Sequence, residues 1–178
     1  MTSFPPRQSY PSTKIKLGAV LFSVLAFTDD DGKVVTRIEE WIVRSIRARR
    51  NSLTKNGMPV FYAVKDAPKQ VNLAQKNQFT WVKKTPKAGD YGWHKSIWAG
   101  YLKAFRVGDD LPFGIYTTKR AALKYAIADQ KCLIDYYQED ISLSQASGDA
   151  QEAEEWQREL RAAQNVQKAL ERRYGALK

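Results

Sequence analysis

The chain has 178 residues, 43% of them apolar and 27% charged, with a formal net charge of +10. This length fits one domain, or one domain with an appendage, and buries enough surface to fold without a disulfide or metal staple. A single cysteine, Cys132, and a single histidine, His94, exclude a disulfide framework, a Cys-rich zinc site and a two-histidine metal centre.

Residues 1–13 hold three prolines and five Ser/Thr residues and read as a flexible N-terminal tail. A nearly unbroken apolar run, Leu17 to Phe27, follows. It is too short to span a membrane. Val24-Leu25-Ala26 offers residues small enough for signal-peptide cleavage, but three prolines lie in the sixteen residues ahead of the run. A buried strand is the simpler reading. Asp29-Asp30-Asp31-Gly32 is a turn, because Asp-Gly tolerates the positive φ of tight turns. It lacks the spacing of an EF-hand after Gly32.

Residues 33–50 carry two patterns. Val35, Ile38, Ile42 and Ile46 fall at helical spacing, with Thr36 and Glu39 spaced as in a capping box. The density of β-branched residues favours a strand paired back across the Asp-Gly turn. Regular alternation along that strand puts Arg37, Glu39, Trp41, Val43, Ser45, Arg47 and Arg49 on one face.

Beyond it, Asn56-Gly57 marks a turn, Val60–Val64 and Phe79–Val82 read as strands, and residues 85–92 form a breaker-rich loop. Residues 93–105 read as a short helix or a strand pair. Gly114–Thr117 is a last short strand. From Thr118, a good N-cap, an apolar stripe through Ala122, Leu123, Ala126, Ile127, Leu133, Ile134, Tyr137 and Ile141 predicts a helix to about Ser144. Ser147-Gly148-Asp149 breaks it. A second helix carries Ala153, Trp156, Leu160, Ala163, Gln167, Leu170 and Tyr174 at heptad-like spacing, with Gly175 placed to end it. The expected fold class is α+β: a small twisted antiparallel sheet, or an SH3- or OB-like barrel, followed by a C-terminal αα-hairpin. The expected domains are the tail, a basic β-rich domain over 14–117, and a helical hairpin over 118–178. The hairpin either packs on the β domain or joins a second chain through its seam.

The charge excess is local. Residues 1–117 hold 19 basic and 9 acidic side chains, whereas residues 118–178 hold 10 of each. The window 44–106 has 14 basic residues opposed only by Asp66 and Asp90. It also contains Phe61, Tyr62, Phe79, Trp81, Tyr91, Trp93, Trp98, Tyr101 and Phe105, with amides that include Asn72. Cations neutralise phosphates and release counterions, aromatic faces stack on unpaired bases, and amides read base edges. The expected partner is therefore nucleic acid, DNA or RNA. Arg44, Arg47, Arg49, Arg50, Lys83, Lys84, Lys87 and Lys95 are the expected phosphate contacts. Trp81, Tyr91, Trp93, His94 and Trp98 are the expected base contacts.

No Gly-rich phosphate loop and no nucleophile elbow occurs in the sequence. Ser96 lies two residues from His94, which makes no triad. Cys132 has only Lys131 beside it to lower its pKa and reads as a structural thiol. A metal-dependent nuclease built on residues such as Asp90 and Lys103 is one alternative, resting on unspecific spacing. The other is a small accessory or inhibitor protein, of the phage or mobile-element type, that docks on a larger machine. The expectation is a cytoplasmic, non-enzymatic protein without cofactor, metal or membrane partner.

Overall fold

The computed structural model describes residues 6–48, 50–63, 68–78, 80–83 and 93–177. Among the described residues, eight strands precede two α-helices. They are β1 (Val20–Thr28), β2 (Val34–Arg47), β3 (Arg50–Lys55), β4 (Met58–Ala63), β5 (Gln70–Gln75), β6 (Thr80–Lys83), β7 (Trp93–Ser96) and β8 (Leu102–Arg106), then α1 (Lys119–Ser147) and α2 (Ala150–Gly175). Four strands form one antiparallel sheet in the order β1-β2-β5-β8, curled into a half barrel. Of the two arrangements expected from the sequence, the open sheet is the one observed, and the helical hairpin follows it.

The remaining strands form two ribbons, β3-β4 and β6-β7, inserted into the β2-to-β5 and β5-to-β8 connections. The β2–β5 pairing runs from Trp41↔Gln75 to Arg47↔Gln70, so the ribbons leave from opposite ends of this pair. The β3-β4 turn is Asn56-Gly57, with φ of 51° and 75°. Positive φ at both central residues matches the right-handed twist of the flanking strands, which is why Asn-Gly sits there. The β1-β2 turn uses Gly32 at φ 77°, and the Asp29 carboxylate accepts from the Lys33 N–H at 2.8 Å.

Within residues 33–50, Val34–Arg47 form a strand, as the density of β-branched residues suggested, but not with regular alternation. A β-bulge falls between Val43 and Ser45: Val43 pairs with Leu73, and Ser45 with Asn72. The extra residue, Arg44, reverses the facing of everything after it. Trp41 and Val43 are buried, while Ser45 and Arg47 lie on the opposite face. The single face expected from Arg37 to Arg49 is corrected by this one insertion, and residue 49 lies outside the described residues.

The chain divides into two compact units. The first comprises residues 1–7, 22–39 and 113–178, the second residues 8–21 and 40–112. In the second unit Ile15, Leu21, Trp41, Val43, Val71, Leu73, Phe105 and Leu111 are buried. Residues of the expected tail make contacts in both units. The Tyr116 hydroxyl donates to the Pro6 carbonyl at 3.1 Å, and the Leu111 N–H to the Gln8 carbonyl at 2.9 Å. The Tyr10 ring stands edge-on to Phe105.

In the first unit Leu123, Val166 and Leu170 are buried, with Val24, Ala26, Val34 and Ile38 packed against them. Burying each leucine stabilises by about 1.5–3 kcal/mol. Thr118 caps α1, its hydroxyl accepting from the Ala121 N–H at 3.2 Å. Gly148, at φ 81°, ends α1, and the Asp149 carboxylate caps α2. Gly175 is the last helical residue, with Ala176 as the C-cap in right-handed conformation, so the expected glycine terminator is not used as one. Ala153, Ala163 and Leu170 of the α2 seam are buried within the chain. Trp156, Leu160, Gln167 and Tyr174 of the same seam are half-buried. Among the described residues, no helix is long and apolar enough to cross a membrane.

Candidate nucleic-acid interface

The division into units sharpens the charge asymmetry. By sequence count, the second unit holds 16 Lys/Arg against 5 Asp/Glu, net +11, and the first holds 13 against 14, net −1. The entire excess belongs to the unit that carries both ribbons.

Within it, the outer face of β2, β5 and β8 forms an open groove of about 480 Å³. Arg44, Ser45, Arg47 and Asn72 line it with polar groups, and Ala74, Ile97, Leu102 and Ala104 with apolar ones. The bulge makes this site. Without the extra residue, Ser45 and Arg47 would share the side of Trp41 and Val43, against the core. The Asn72 side-chain amide donates to the Ser45 hydroxyl at 2.9 Å, fixing both across the strand pair. Arg44 and Arg47 are exposed, and among the described residues no carboxylate pairs with either. Other cations are already engaged. Lys76 pairs with Glu40 at 2.7 Å, and the Lys103 ammonium lies 4.7 Å from the centroid of the buried Trp41 ring.

The expected site residues divide three ways. Arg44 and Arg47 come together on the groove. Trp98 is 71% exposed and follows Ile97, a groove residue, in the chain. Arg50, Trp81, Lys83, Trp93, His94 and Lys95 are placed by backbone register alone. In the β6-β7 ribbon Trp81 pairs with Lys95, and Lys83 with Trp93. Paired residues share a face, as do alternate residues along a strand. Two tryptophan and two lysine positions therefore occupy one face of the ribbon, and His94 falls on the other with Thr80, Val82 and Ser96. Arg50 pairs with Ala63 in the other ribbon. Arg49, Lys84, Lys87 and Tyr91 lie outside the described residues, as does Asp90 of the nuclease alternative.

Of the remaining aromatic residues in the basic window, Tyr62 is 43% exposed, Tyr101 is half-buried and Phe105 is buried. Among the described residues, no three His, Cys, Asp or Glu side chains gather as metal ligands. Sequence reasoning noted Asn72 among the amides but gave Ser45, Ile97, Leu102 and Ala104 no role. Simple alternation put Ser45 on the wrong face, and no residue type in Val43-Arg44-Ser45 announces a bulge. No family model, no curated protein and no solved structure matches this chain.

Proposed function

We propose that this protein binds nucleic acid in the cytoplasm through its basic unit, without catalysing a reaction. The observation that carries the reading is the pair of exposed guanidinium groups of Arg44 and Arg47 on an open groove, neither paired with a carboxylate among the described residues, inside a unit of net +11. Guanidinium groups bind phosphate oxygens bidentately, and a cationic groove with apolar walls concentrates a polyanion. The ribbon face carrying Trp81, Lys83, Trp93 and Lys95 adds positions suited to bases and phosphates side by side.

The test is affinity measured against salt for the wild type and for the double variant Arg44→Gln/Arg47→Gln. Each lost phosphate contact flattens the slope of log affinity against log salt by about 0.7–0.9. The double variant is expected to bind more weakly at low salt, with a slope shallower by roughly 1 to 2. Unchanged affinity and slope would remove Arg44 and Arg47 from the interface.

One observation favours a protein partner as the second reading. The β3-β4 register puts Leu53, Met58, Val60 and Tyr62 on one face, and all four are exposed, at 61%, 70%, 48% and 43%. An accessory protein docking through this face would keep its partner after nuclease treatment. A nucleic-acid binder held in place by its ligand would lose it.

A further inference from the structure

Trp98 is an anomaly as a structural residue. Tryptophan contributes most when buried, yet this side chain is 71% exposed. It is also held in place. Residues Ala99–Tyr101 form one turn of 3₁₀ helix, closed by the Tyr101 N–H donating to the Trp98 carbonyl at 2.9 Å. The Tyr101 ring stands edge-on to the indole, centroids 5.6 Å apart at 74°. The indole also lies directly on Gly100. A Cβ built at that position would come within 2.6 Å and 2.8 Å of two indole carbons, closer than atoms can approach. Glycine at 100 is therefore what leaves room for the six-membered ring of the indole at this place. The indole packs beside Gly100 and the Tyr101 ring, while most of its surface stays open to solvent.

A solvent-exposed indole, one residue along the chain from Ile97 of a groove with guanidinium groups and an apolar lining, suits one ligand chemistry. It fits a flat ring joined to a phosphate. In a duplex the base faces are stacked on one another and unavailable, and only phosphates and base edges are presented. In a single strand each face is free, and stacking on an aromatic side chain contributes about 1–3 kcal/mol per base.

We infer that Trp98, positioned by Gly100 and Tyr101, is a stacking platform for an unpaired base, and that the ligand of the Arg44/Arg47 groove is single-stranded rather than duplex nucleic acid. This rests on the nucleic-acid reading above and gives it a substrate class. DNA and RNA strands share the chemistry, since both offer base faces and phosphates.

The experiment compares labelled oligo(dU), labelled oligo(rU) and a dA·dT duplex of matched length, all at the same low salt concentration. The proteins are the wild type, Trp98→Ala, Trp98→Phe and Gly100→Ala, each first checked for native circular dichroism and unchanged Tm. At least one strand is expected to bind about tenfold or more tighter than the duplex, and oligo(dU) beside oligo(rU), which differ in the sugar alone, identifies the sugar preferred. Trp98→Ala is expected to lose about tenfold of strand affinity while its weak duplex affinity stays unchanged. Trp98→Phe should retain most of the strand affinity, because a phenyl ring still stacks. Gly100→Ala should lose strand affinity with Trp98 intact, because the added methyl lifts the ring. Equal or tighter duplex binding, or full strand affinity in Trp98→Ala, would overturn the inference and leave the nucleic-acid reading standing. Full strand affinity in a folded Gly100→Ala would overturn the positioning role. Binding to none of the three at low salt would overturn both.

Discussion

Asp129 sits on α1 four residues from Tyr125, in the unit that contains the helical hairpin. Burial holds its carboxyl above the usual aspartate range, and burial, followed by the Asp129 charge, raises the Tyr125 phenol. A carboxyl whose pKa is raised by folding binds its proton more tightly in the native state than in the unfolded chain. Its contribution to stability is therefore fully present below the unfolded pKa, near 3.9, and is lost as pH rises through the higher native value. Asp129→Asn removes the titration and keeps the shape. The variant is expected to melt at a higher temperature than the wild type at pH 7, with the gap closing as pH falls below about 4. Thermal melts at several pH values check this. A gap that widens toward acid would mean that the carboxylate is stabilised, not penalised, by its surroundings.

At the scale of elements, what the sequence made legible depended on how local the determinant was. Thr118 at the start of α1 and Gly148-Asp149 between the helices were readable, because capping is decided by a few adjacent atoms. Gly148 carries the joint, with φ of 81° and its N–H donating to the Gln145 and Ser144 carbonyls. Gly148→Ala forces a side chain into the left-handed region and is expected to cost about 1 kcal/mol, with Gly148→Asn costing less. Urea denaturation of both variants measures the difference. The Asn-Gly turn of the β3-β4 ribbon was legible for the same local reason. The bulge at Arg44 was not. Its cause is the offset between two sequence-distant strands, Val43 opposite Leu73 and Ser45 opposite Asn72. Periodicity within one segment carries no such information. The candidate site was therefore half visible. Its cations and its tryptophan stood out by composition, but the exposure of that tryptophan needed the structure and the groove needed the register of three strands. The role of Gly100 needed the position of an indole two residues away.

At the scale of the molecule, the charge is divided unevenly between the two units. The first unit, with both helices, is close to charge balance and buries its apolar stripe around Leu123, Val166 and Leu170. The second holds the charge excess, both ribbons and the groove. A polyanion should be drawn to the second unit alone, because exposed charges act over about one Debye length, near 8–10 Å at physiological salt. The most direct measurement is fluorescence anisotropy of the intact protein with a labelled mixed-sequence oligonucleotide, titrated from low to physiological salt. The expected result is saturable binding that weakens linearly in log affinity against log salt, as counterion release requires. No binding at low salt, or an affinity indifferent to salt, would contradict the assignment of the basic unit as a nucleic-acid interface.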